Sequence, residues 1–351
     1  MAFYDFENIF DSDEWQKKQT WVKRILSQGL PDIVGFQEVF SPDSLEKLVA
    51  EQGLPHFATC EAPSGEDDYI LNKPVNAIAS KFPISHCEAV DATAETIANM
   101  QLPADFKFSR AVLRCRVELP IIGSCLVYVM HLKSKRASFP KTDEPEQAVD
   151  LNDPYIDIQY HIQQALTRQT QGSWTSTKQR GSEAAIVYSD IVKHRGDYET
   201  SNMPVMVLGD FNDEIGSSAL HHLVNNHTLW MIEGTRTENL PHHGKDIMDH
   251  LTMHDSHDLL NGNPEVLLSY SDEDTPREVP PPKQPTHFFA NKGNVLDYIL
   301  LSNDFNACYQ HSIGEITHYM TFDAHLQNPI FEIDSHASDH AMVMIGIELR
   351  I

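Results

Sequence analysis

The sequence predicts an α+β fold in which β-sheets pack against each other and helices cover the outer faces. Three observations predict it: short apolar runs typical of buried strands, longer stretches with helical periodicity, and one pattern typical of a β-hairpin. A hairpin requires antiparallel pairing, so a purely parallel sheet is not expected. The chain has 351 residues, of which 41% are hydrophobic, and this favours one large domain with a proper core.

Short apolar runs followed by polar residues mark the predicted strands. Pieces of buried helix are the alternative, but brevity, β-branched content and flanking Pro, Gly and Asn favour strands. The predicted strands are Asp32–Phe36, Ala77–Ser80, Leu126–Met130, Val205–Leu208 and Val295–Leu301. The predicted hairpin pairs Arg110–Leu119 with Leu126–His131 around a turn that contains Gly123.

Apolar residues that recur every three or four positions predict helices at Asp13–Gln28, Asp43–Gln52 and Ser176–His194. Two polar segments are expected to be insertions in a single domain that spans residues 1–351. The first insertion, Ala137–Gly172, contains a further predicted helix near Ile156–Leu166. The second, Ser271–Pro285, is rich in proline and charge, which predicts an exposed, extended loop.

The chain is strongly acidic, with a formal net charge of −25, which disfavours broad attraction to a polyanion. A nucleic-acid substrate would therefore need a local basic patch, or metal ions that supply positive charge in the site. The five cysteines are an odd number without a C-x-x-C pair. Neither a zinc site nor a complete disulfide framework is expected, and we interpret the cysteines mostly as buried thiols.

No segment resembles a membrane span or a signal peptide. The sequence lacks a run of about 18 apolar residues, and its first residues lack the basic-then-apolar pattern of a secretory leader. We therefore expect a cytoplasmic protein, or a secreted one whose leader has been removed.

Polar residues cluster where predicted strands end, because there the strand fixes a residue that the loop exposes. Asp210 and Asn212 follow one strand directly, and side chains two residues apart on a strand face the same way. Asp210 could accept a proton while Asn212 orients a water or a phosphate oxygen. The structural alternative is a turn stabilised by Asx hydrogen bonds.

Two more strand ends carry residues that suit phosphate chemistry. Glu38 ends the pattern Val34–Glu38, where a carboxylate is costly unless it is solvated, paired or bound to metal. Its hard oxygens suit Mg²⁺, and a salt bridge is the alternative. His131 and Lys133 point to the same side of a third strand end, where a protonated His131 could stabilise charge on a phosphate oxygen. A lone histidine is more often structural.

The last motifs lie late in the chain. Asp297 interrupts an apolar strand pattern, where it needs a cationic or donor partner. His340, which follows Asp339, is such a partner, so Asp297 could orient the ring of His340.

Taken together, these motifs resemble the endonuclease/exonuclease/phosphatase superfamily, which includes pancreatic deoxyribonuclease, exonuclease III-like repair nucleases, neutral sphingomyelinases and inositol-polyphosphate phosphatases. The motifs follow the family order along nearly the whole chain. They are Phe3-Tyr4-Asp5-Phe6-Glu7-Asn8, Gln37-Glu38, His131-Leu132-Lys133-Ser134, Gly209–Asp213, Leu296–Leu300 and Ser338–His340. Any one of them is weak, but the ordered set is specific.

The resemblance implies a four-layer α/β/β/α sandwich of two mostly antiparallel sheets flanked by helices, with the active site at one sheet edge. It also implies a metal side of the site. Glu38 resembles the principal ligand, and Glu7, Asp339 and Asp5 lie beside it. Mg²⁺ is the implied cofactor, with Mn²⁺ or Ca²⁺ as substitutes.

Catalytic roles carry over by position as well. Asp210 and Asn212 resemble the pair that activates and orients water. His340, held by Asp297, resembles the phosphate-contacting histidine. The remaining matches are to the deoxyribonuclease branch, in which His131 matches the second histidine and Arg110 the phosphate-contacting arginine.

The first motif departs from the family pattern F-N-V-E-N-L, because Asp5 stands where Asn is expected. The change is nearly isosteric but adds a negative charge beside the implied cation. It could tighten metal binding or repel phosphate.

A nuclease is the favoured function, acting by in-line attack of a water that Asp210 activates. The Leu296–Leu300 motif differs from the W-x-D-R-I pattern of inositol phosphatases, and the motif at His131 resembles those of bacterial nucleases in the family. Nearby cations could follow a nucleic-acid backbone, although a solvated strip explains them equally well. These cations are Arg110, Lys133, Lys135 and Arg136.

Three alternatives stay open at this point. A phosphodiesterase acting on a lipid headgroup should have an exposed apolar docking loop, for which Phe288-Phe289 is the candidate, although both rings could belong to the core. A small phosphate ester is the second alternative. The third is a binding protein that keeps the fold without catalysis.

Overall fold

The computed structural model of the chain describes residues 13–65, 71–139, 157–195, 203–224, 231–232, 234–236, 239–262 and 282–350. The expected first motif with Asp5 and Glu7 lies outside these ranges, as does most of the segment Ser271–Pro285. The helices in the described ranges are α1 Asp13–Gly29, α2 Pro42–Glu51, α3 Ala94–Asn99, α4 Ile158–Arg195, α5 His242–Leu251, α6 Ser256–Gly262, α7 Ala324–Gln327 and α8 Phe331–Asp334.

The strands in the same ranges are β1 Ile33–Val39, β2 His56–Ala58, β3 Ser64–Gly65, β4 Leu71–Lys73, β5 Val75–Ser80, β6 Ile84–Ala89, β7 Leu113–Leu119, β8 Gly123–His131, β9 Val205–Asp210, β10 Met231–Ile232, β11 Thr235–Arg236, β12 Met253–Asp255, β13 His287–Phe289, β14 Lys292–Asn294, β15 Asp297–Ser302, β16 Gly314–Phe322 and β17 Met342–Leu349. The five predicted strands match β1, β5, β8, β9 and β15 with shifted ends.

A six-stranded sheet forms the centre of the fold, in the order β12-β15-β9-β8-β7-β6. The predicted hairpin is confirmed by antiparallel pairing of β7 with β8. Among the described strands, β8 and β9 form the one parallel pair. Parallel neighbours need a long crossover connection, which here includes helix α4.

The sequence of β8 explains why both faces of this sheet are buried. Tyr128 and Met130 pack into a core with α4 residues such as Val187. Val127 and Val129 belong to a second core on the opposite face. Because side chains alternate along a strand, a continuous apolar run places one set of residues in each core.

The second core is closed by two further groups of strands. One is the sheet β1-β5-β2, and the other is the β16-β17 ladder. Helices α1 and α2 pack on the outer face of β1 and β5 in a third core that includes Leu26 and Leu48. An apolar cavity of about 580 Å³ lies between β1 and β17. The order helix, sheet, sheet, helix confirms the predicted α+β sandwich.

The prediction of two separate helices in the region of α4 is wrong. The sequence predicted separate helices near Ile156–Leu166 and at Ser176–His194, but the structure has one helix, Ile158–Arg195. Gly172, between the two predicted helices, is buried within this helix. A Cβ atom there would lie 2.7 Å from the Phe139 ring, so glycine provides close packing and does not end the helix. Among the described helices, none is both long and apolar enough to span a bilayer.

The prediction that the cysteines are mostly buried thiols is wrong. Cys87 and Cys115 lie opposite each other on β6 and β7 and form a disulfide. Of the others, Cys125 is buried, Cys60 is half-buried and Cys308 is exposed. Sequence spacing could not show this pair, because the pairing register of β6 and β7 brings the two residues together.

Gly209 is required where β8 and β9 meet. Its φ angle is 146°, and a Cβ atom there would lie 1.9 Å from the carbonyl oxygen of Met130. We expect Gly209→Ala to lower the free energy of unfolding by about 2 kcal/mol or more, from backbone strain and steric overlap. Urea unfolding followed by circular dichroism measures this change. Gly216→Ala is the control, because no atom lies within 4 Å of its added Cβ. Equal losses of unfolding free energy in the two variants would contradict the conclusion that position 209 requires glycine.

Candidate active site

Three predicted catalytic residues lie in a row across adjacent strands of the central sheet. In the pairing register, His131 of β8 lies beside Asp210 of β9. Asp297 of β15 lies beside Asp210 on its other side. Strand register therefore fixes the spacing of these side chains, which places the row on a rigid part of the molecule.

Asp210 forms the centre of this row and is 5% exposed. Its Oδ2 atom lies 3.2 Å from Nε2 of His131. Burial raises the pKa of Asp210, but the hydrogen bond from His131 and the electrostatic interactions with His131 and His340 lower it more. The net pKa lies below its usual value, so the carboxylate is ionised at neutral pH.

His131 lies behind Asp210 instead of facing solvent. It is buried, and its Nδ1 atom has no hydrogen-bond partner among the described residues. The ring therefore donates from Nε2 to Asp210 and orients this carboxylate.

Asn212 completes a turn around Asp210. Its main-chain N–H donates to Asp210 Oδ1 at 2.8 Å, and its Nδ2 donates to Asp210 Oδ2 at 3.1 Å and to the Leu132 carbonyl at 3.0 Å. Its φ of 54° is a left-handed conformation that asparagine tolerates better than most residues. The Asx turn that the sequence offered as an alternative is thus present, and it holds Asn212 against Asp210.

Asp297 and His340 form an ion pair at the other end of the row. Nδ1 of His340 lies 2.8 Å from Oδ2 of Asp297. Burial lowers the pKa of His340, but the hydrogen bond to Asp297 and nearby negative charges raise it to about 9. Asp210, Asp297 and His340 offer polar atoms within 4.8 Å of one another. The cluster therefore combines two carboxylates with an imidazole, and His287, Asp339 and His340 form a second cluster within the same distance.

Thr286 and His287 belong to the site but were missed in the sequence. The Thr286 hydroxyl accepts hydrogen bonds from the main-chain N–H groups of Leu296 and Asp297. The His287 ring lies 4.8 Å from the His340 ring. Both residues directly follow the proline-rich segment, so neither stood out as a site residue. The Thr-His pair shortly before the Asp297 motif was nevertheless a signal that could have indicated them.

Glu38 reaches the site through a β-bulge. The register of β1 against β5 shifts between Phe36 and Val39, and Glu38 has a φ of 56°. Bulges of this kind redirect side chains next to active sites. Its Oε1 atom lies 3.6 Å from Nη2 of Arg110. Asp5 and Glu7, the other implied acidic residues of the metal side, lie outside the described residues.

Glu38 and Asp339 line a cavity of about 240 Å³ together with Lys18 of α1. Burial lowers the pKa of Lys18, and the charges of Asp339 and Glu38 oppose that shift. The two carboxylates therefore both act on the Lys18 ammonium. Hard carboxylate oxygens with room for water are the donor set that suits Mg²⁺ and Ca²⁺. By the chemistry of their side chains, Glu38 and Asp339 suit a divalent cation.

Arg110 and Lys133 place positive charge beside the carboxylates. Burial lowers the pKa of Lys133, the charges of Arg110, Arg180 and Arg136 lower it further, and the charge of Glu183 opposes that shift. Among the described residues, no carboxylate pairs with the Lys133 ammonium, whose neighbours are Ser134 Oγ at 3.3 Å and the Arg136 carbonyl at 3.5 Å. These cations stand out in a chain with a net charge of −25.

Comparison with known proteins gives the same fold. The profile of the Endonuclease/Exonuclease/phosphatase family matches residues 10–340. The human Nocturnin catalytic domain with bound sulfate has a TM-score of 0.52 at 15% identity, over 96% of this chain and 87% of that chain. ANGEL2, a 2′,3′-cyclic phosphatase, has a TM-score of 0.52 at 13% identity, over 99% of this chain and 88% of that chain. No curated protein matches the sequence.

Proposed function

The chain belongs to the endonuclease/exonuclease/phosphatase family, and from this premise we propose that it is a Mg²⁺-dependent nuclease that hydrolyses phosphodiester bonds. The observation that carries the proposal is the row of His131, Asp210 and Asp297 on adjacent strands, completed by His340. It combines a carboxylate that can accept a proton with a cation that can contact a phosphate.

The proposed reaction is in-line displacement at phosphorus. A bond forms between the water oxygen and phosphorus while the bond to the leaving oxygen breaks; Asp210 accepts the proton that the water loses, and the leaving oxygen takes up a proton from solvent. Both amide hydrogens of Asn212 are donated to Leu132 and Asp210, which leaves Oδ1 to accept a hydrogen bond from the water. His131 holds Asp210 in place.

His340 stabilises the charge that develops on the phosphoryl group. Its Nδ1 is engaged by Asp297, so Nε2 is the atom that can donate to a phosphoryl oxygen. Glu38 and Asp339 would hold Mg²⁺, or Mn²⁺ or Ca²⁺ in its place, and the bound cation would neutralise negative charge on the phosphoryl oxygens.

The cations beside the site support a diester of nucleic acid as substrate. Arg110 lies 3.6 Å from Glu38, and its charge acts on Lys133, so the two side chains could contact substrate phosphates near the proposed metal ligand. Such contacts supply the local attraction that the acidic surface as a whole does not provide.

A lipid-headgroup phosphodiesterase is the second candidate, favoured by exposed aromatic residues on two segments, one of which pairs with His340. Phe289, on the segment that pairs with His340 through His287, is 78% exposed. Phe331, the first residue of α8, is 81% exposed. Exposed aromatic rings around a site are typical of docking to a lipid surface.

A substrate panel tests the proposal. Plasmid DNA, RNA, sphingomyelin vesicles, inositol phosphates and generic mono- and diesters are incubated with Mg²⁺ or with EDTA, and Asp210→Asn is the inactive control. We expect DNA or RNA cleavage with Mg²⁺, and its loss with EDTA. Activity on monoesters alone would contradict the nuclease proposal, and vesicle hydrolysis without nucleic-acid cleavage would favour the second candidate.

A further inference from the structure

Glu183 is a buried carboxylate on α4 that the proposed reaction does not use. It is 1% exposed. Its Oε1 atom accepts the main-chain N–H of Ser109 at 2.6 Å, and its Oε2 atom accepts the main-chain N–H of Lys133 at 2.7 Å. One side chain therefore joins the residue before Arg110 to the residue that carries the second proposed phosphate contact.

Neighbouring residues of the same helix face extend this connection. Arg180 is 2% exposed and donates from Nη1 to the Lys133 carbonyl at 3.1 Å. Lys133 is thus held by α4 at both its N–H and its C=O. The Gln179 amide donates to Glu183 Oε1 at 3.0 Å and to the Lys107 carbonyl at 2.8 Å.

The same face reaches the loop after Asn212. Nε and Nη2 of Arg180 donate to Asp213 Oδ2 at 3.2 and 2.9 Å. Three loops that carry proposed site residues therefore depend on one helix: the loops at Arg110, Lys133 and Asn212. Buried charged groups are costly unless hydrogen bonds satisfy them, and for Glu183 two of the three donors are main-chain N–H groups of the loops at Arg110 and Lys133.

We propose that Glu183 is a positioning residue that sets Arg110 and Lys133 as one anion subsite for substrate phosphates that flank the scissile bond. The inference rests on the proposed nuclease function for the identity of the substrate. Glu183 does not touch the substrate; it acts through the main chain of the two loops. A carboxylate suits this role because its two oxygens accept from two loops at once.

The test uses Glu183→Gln and a matched control on the same helix. Glutamine has nearly the same shape, but its NH₂ group must face one of the two main-chain N–H donors. Asp190→Asn is the control, because Asp190 is also largely buried but binds Arg114 and Tyr128 instead of the site loops. Thermal unfolding identifies the temperature at which all variants are folded.

Binding is measured first, without catalysis. A short phosphorothioate-linked DNA duplex is titrated in EDTA, with fluorescence anisotropy as the readout. We expect Glu183→Gln to raise Kd by about tenfold, the loss typical of a hydrogen bond to a charged group. Asp190→Asn should bind like the wild type. If wild-type protein does not bind the duplex, or if folded Glu183→Gln binds equally well, the inference is overturned.

Coupling separates positioning from general stability. If Glu183 acts through the two cations, combining Glu183→Gln with Arg110→Ala and Lys133→Ala should raise Kd little beyond the effect of those two substitutions alone. Additive effects, or equal weakening by Asp190→Asn, would overturn the proposal. In turnover with DNA, KM should rise in Glu183→Gln while kcat stays within about threefold, since the change removes binding more than transition-state contacts.

A replacement variant is available if Glu183→Gln does not fold, and the binding test does not depend on turnover. If Glu183→Gln does not fold, Gln179→Ala replaces it, because it removes the amide that supports Glu183 and the Lys107 carbonyl. Failure of the wild type to hydrolyse any ester would reject the proposed function, while the EDTA binding comparison would still decide the role of Glu183.

Discussion

Replacing Asp210 with asparagine is expected to lower kcat by about 10³-fold, within the range that general-base catalysis contributes. The substitution conserves shape, but its NH₂ group would replace either Oδ1, which accepts from Asn212 N–H, or Oδ2, which accepts from His131 and Asn212 Nδ2. The variant thus loses the proposed proton acceptor, and its contacts with His131 and Asn212 are disturbed.

Steady-state hydrolysis of DNA at saturating Mg²⁺ measures this effect. Asp255→Asn is the control, because Asp255 is a buried carboxylate of the same sheet that bonds Lys283 and lies outside the catalytic row. We expect the folded control to keep near wild-type kcat. An Asp210→Asn protein with more than a tenth of wild-type kcat would show that another group accepts the proton.

The second large effect is expected for His340→Gln, with kcat lowered by about 10²-fold or more, the loss typical of removing one donor to a developing oxyanion. Glutamine retains a hydrogen-bond donor but not the positive charge. The substitution also leaves the Asp297 carboxylate without its cation, since the pair is joined at 2.8 Å. His254→Gln is the control, because His254 is a half-buried histidine bonded to Asn303 away from the site.

A double variant separates two effects of His340→Gln: the loss of positive charge next to the substrate and the loss of protein stability. Asp297→Asn in the His340→Gln background removes the half-buried carboxylate that has lost its cation, so thermal stability should increase relative to the single variant. Activity should stay low, because the cation that contacts the phosphate is still missing. Recovery of activity together with stability would show that His340 has a structural role instead of a chemical one.

Much of the fold and part of the site could be predicted from local sequence. Apolar runs at β8 and β9 predicted buried strands, because residues that face two cores must be apolar on both sides. Asp210 and Asp297 could be singled out because a carboxylate at the end of such a run is costly without a partner. The pairing of Asp297 with His340 was also predicted, and the structure places the two in contact.

Other features depend on contacts that sequence spacing does not encode. Lys18 lies on a helix and faces Glu38 and Asp339 only through the packing of α1. Glu183 and Arg180 have the spacing of residues on a buried helix face. Because both are charged, apolar periodicity does not indicate that this face is buried. The bulge that directs Glu38 towards the site also has no signal in its residue types.

The parallel pairing of β8 with β9 has a consequence for how the chain acquires activity. His131 and Asp210 are neighbours only after the long crossover through α4 has closed, and contacts between residues distant in sequence form slowly. Asp297 and His340 come from still later in the chain. The proposed site therefore cannot form in a chain whose C-terminal third has not yet docked, so we expect turnover to appear only after that step.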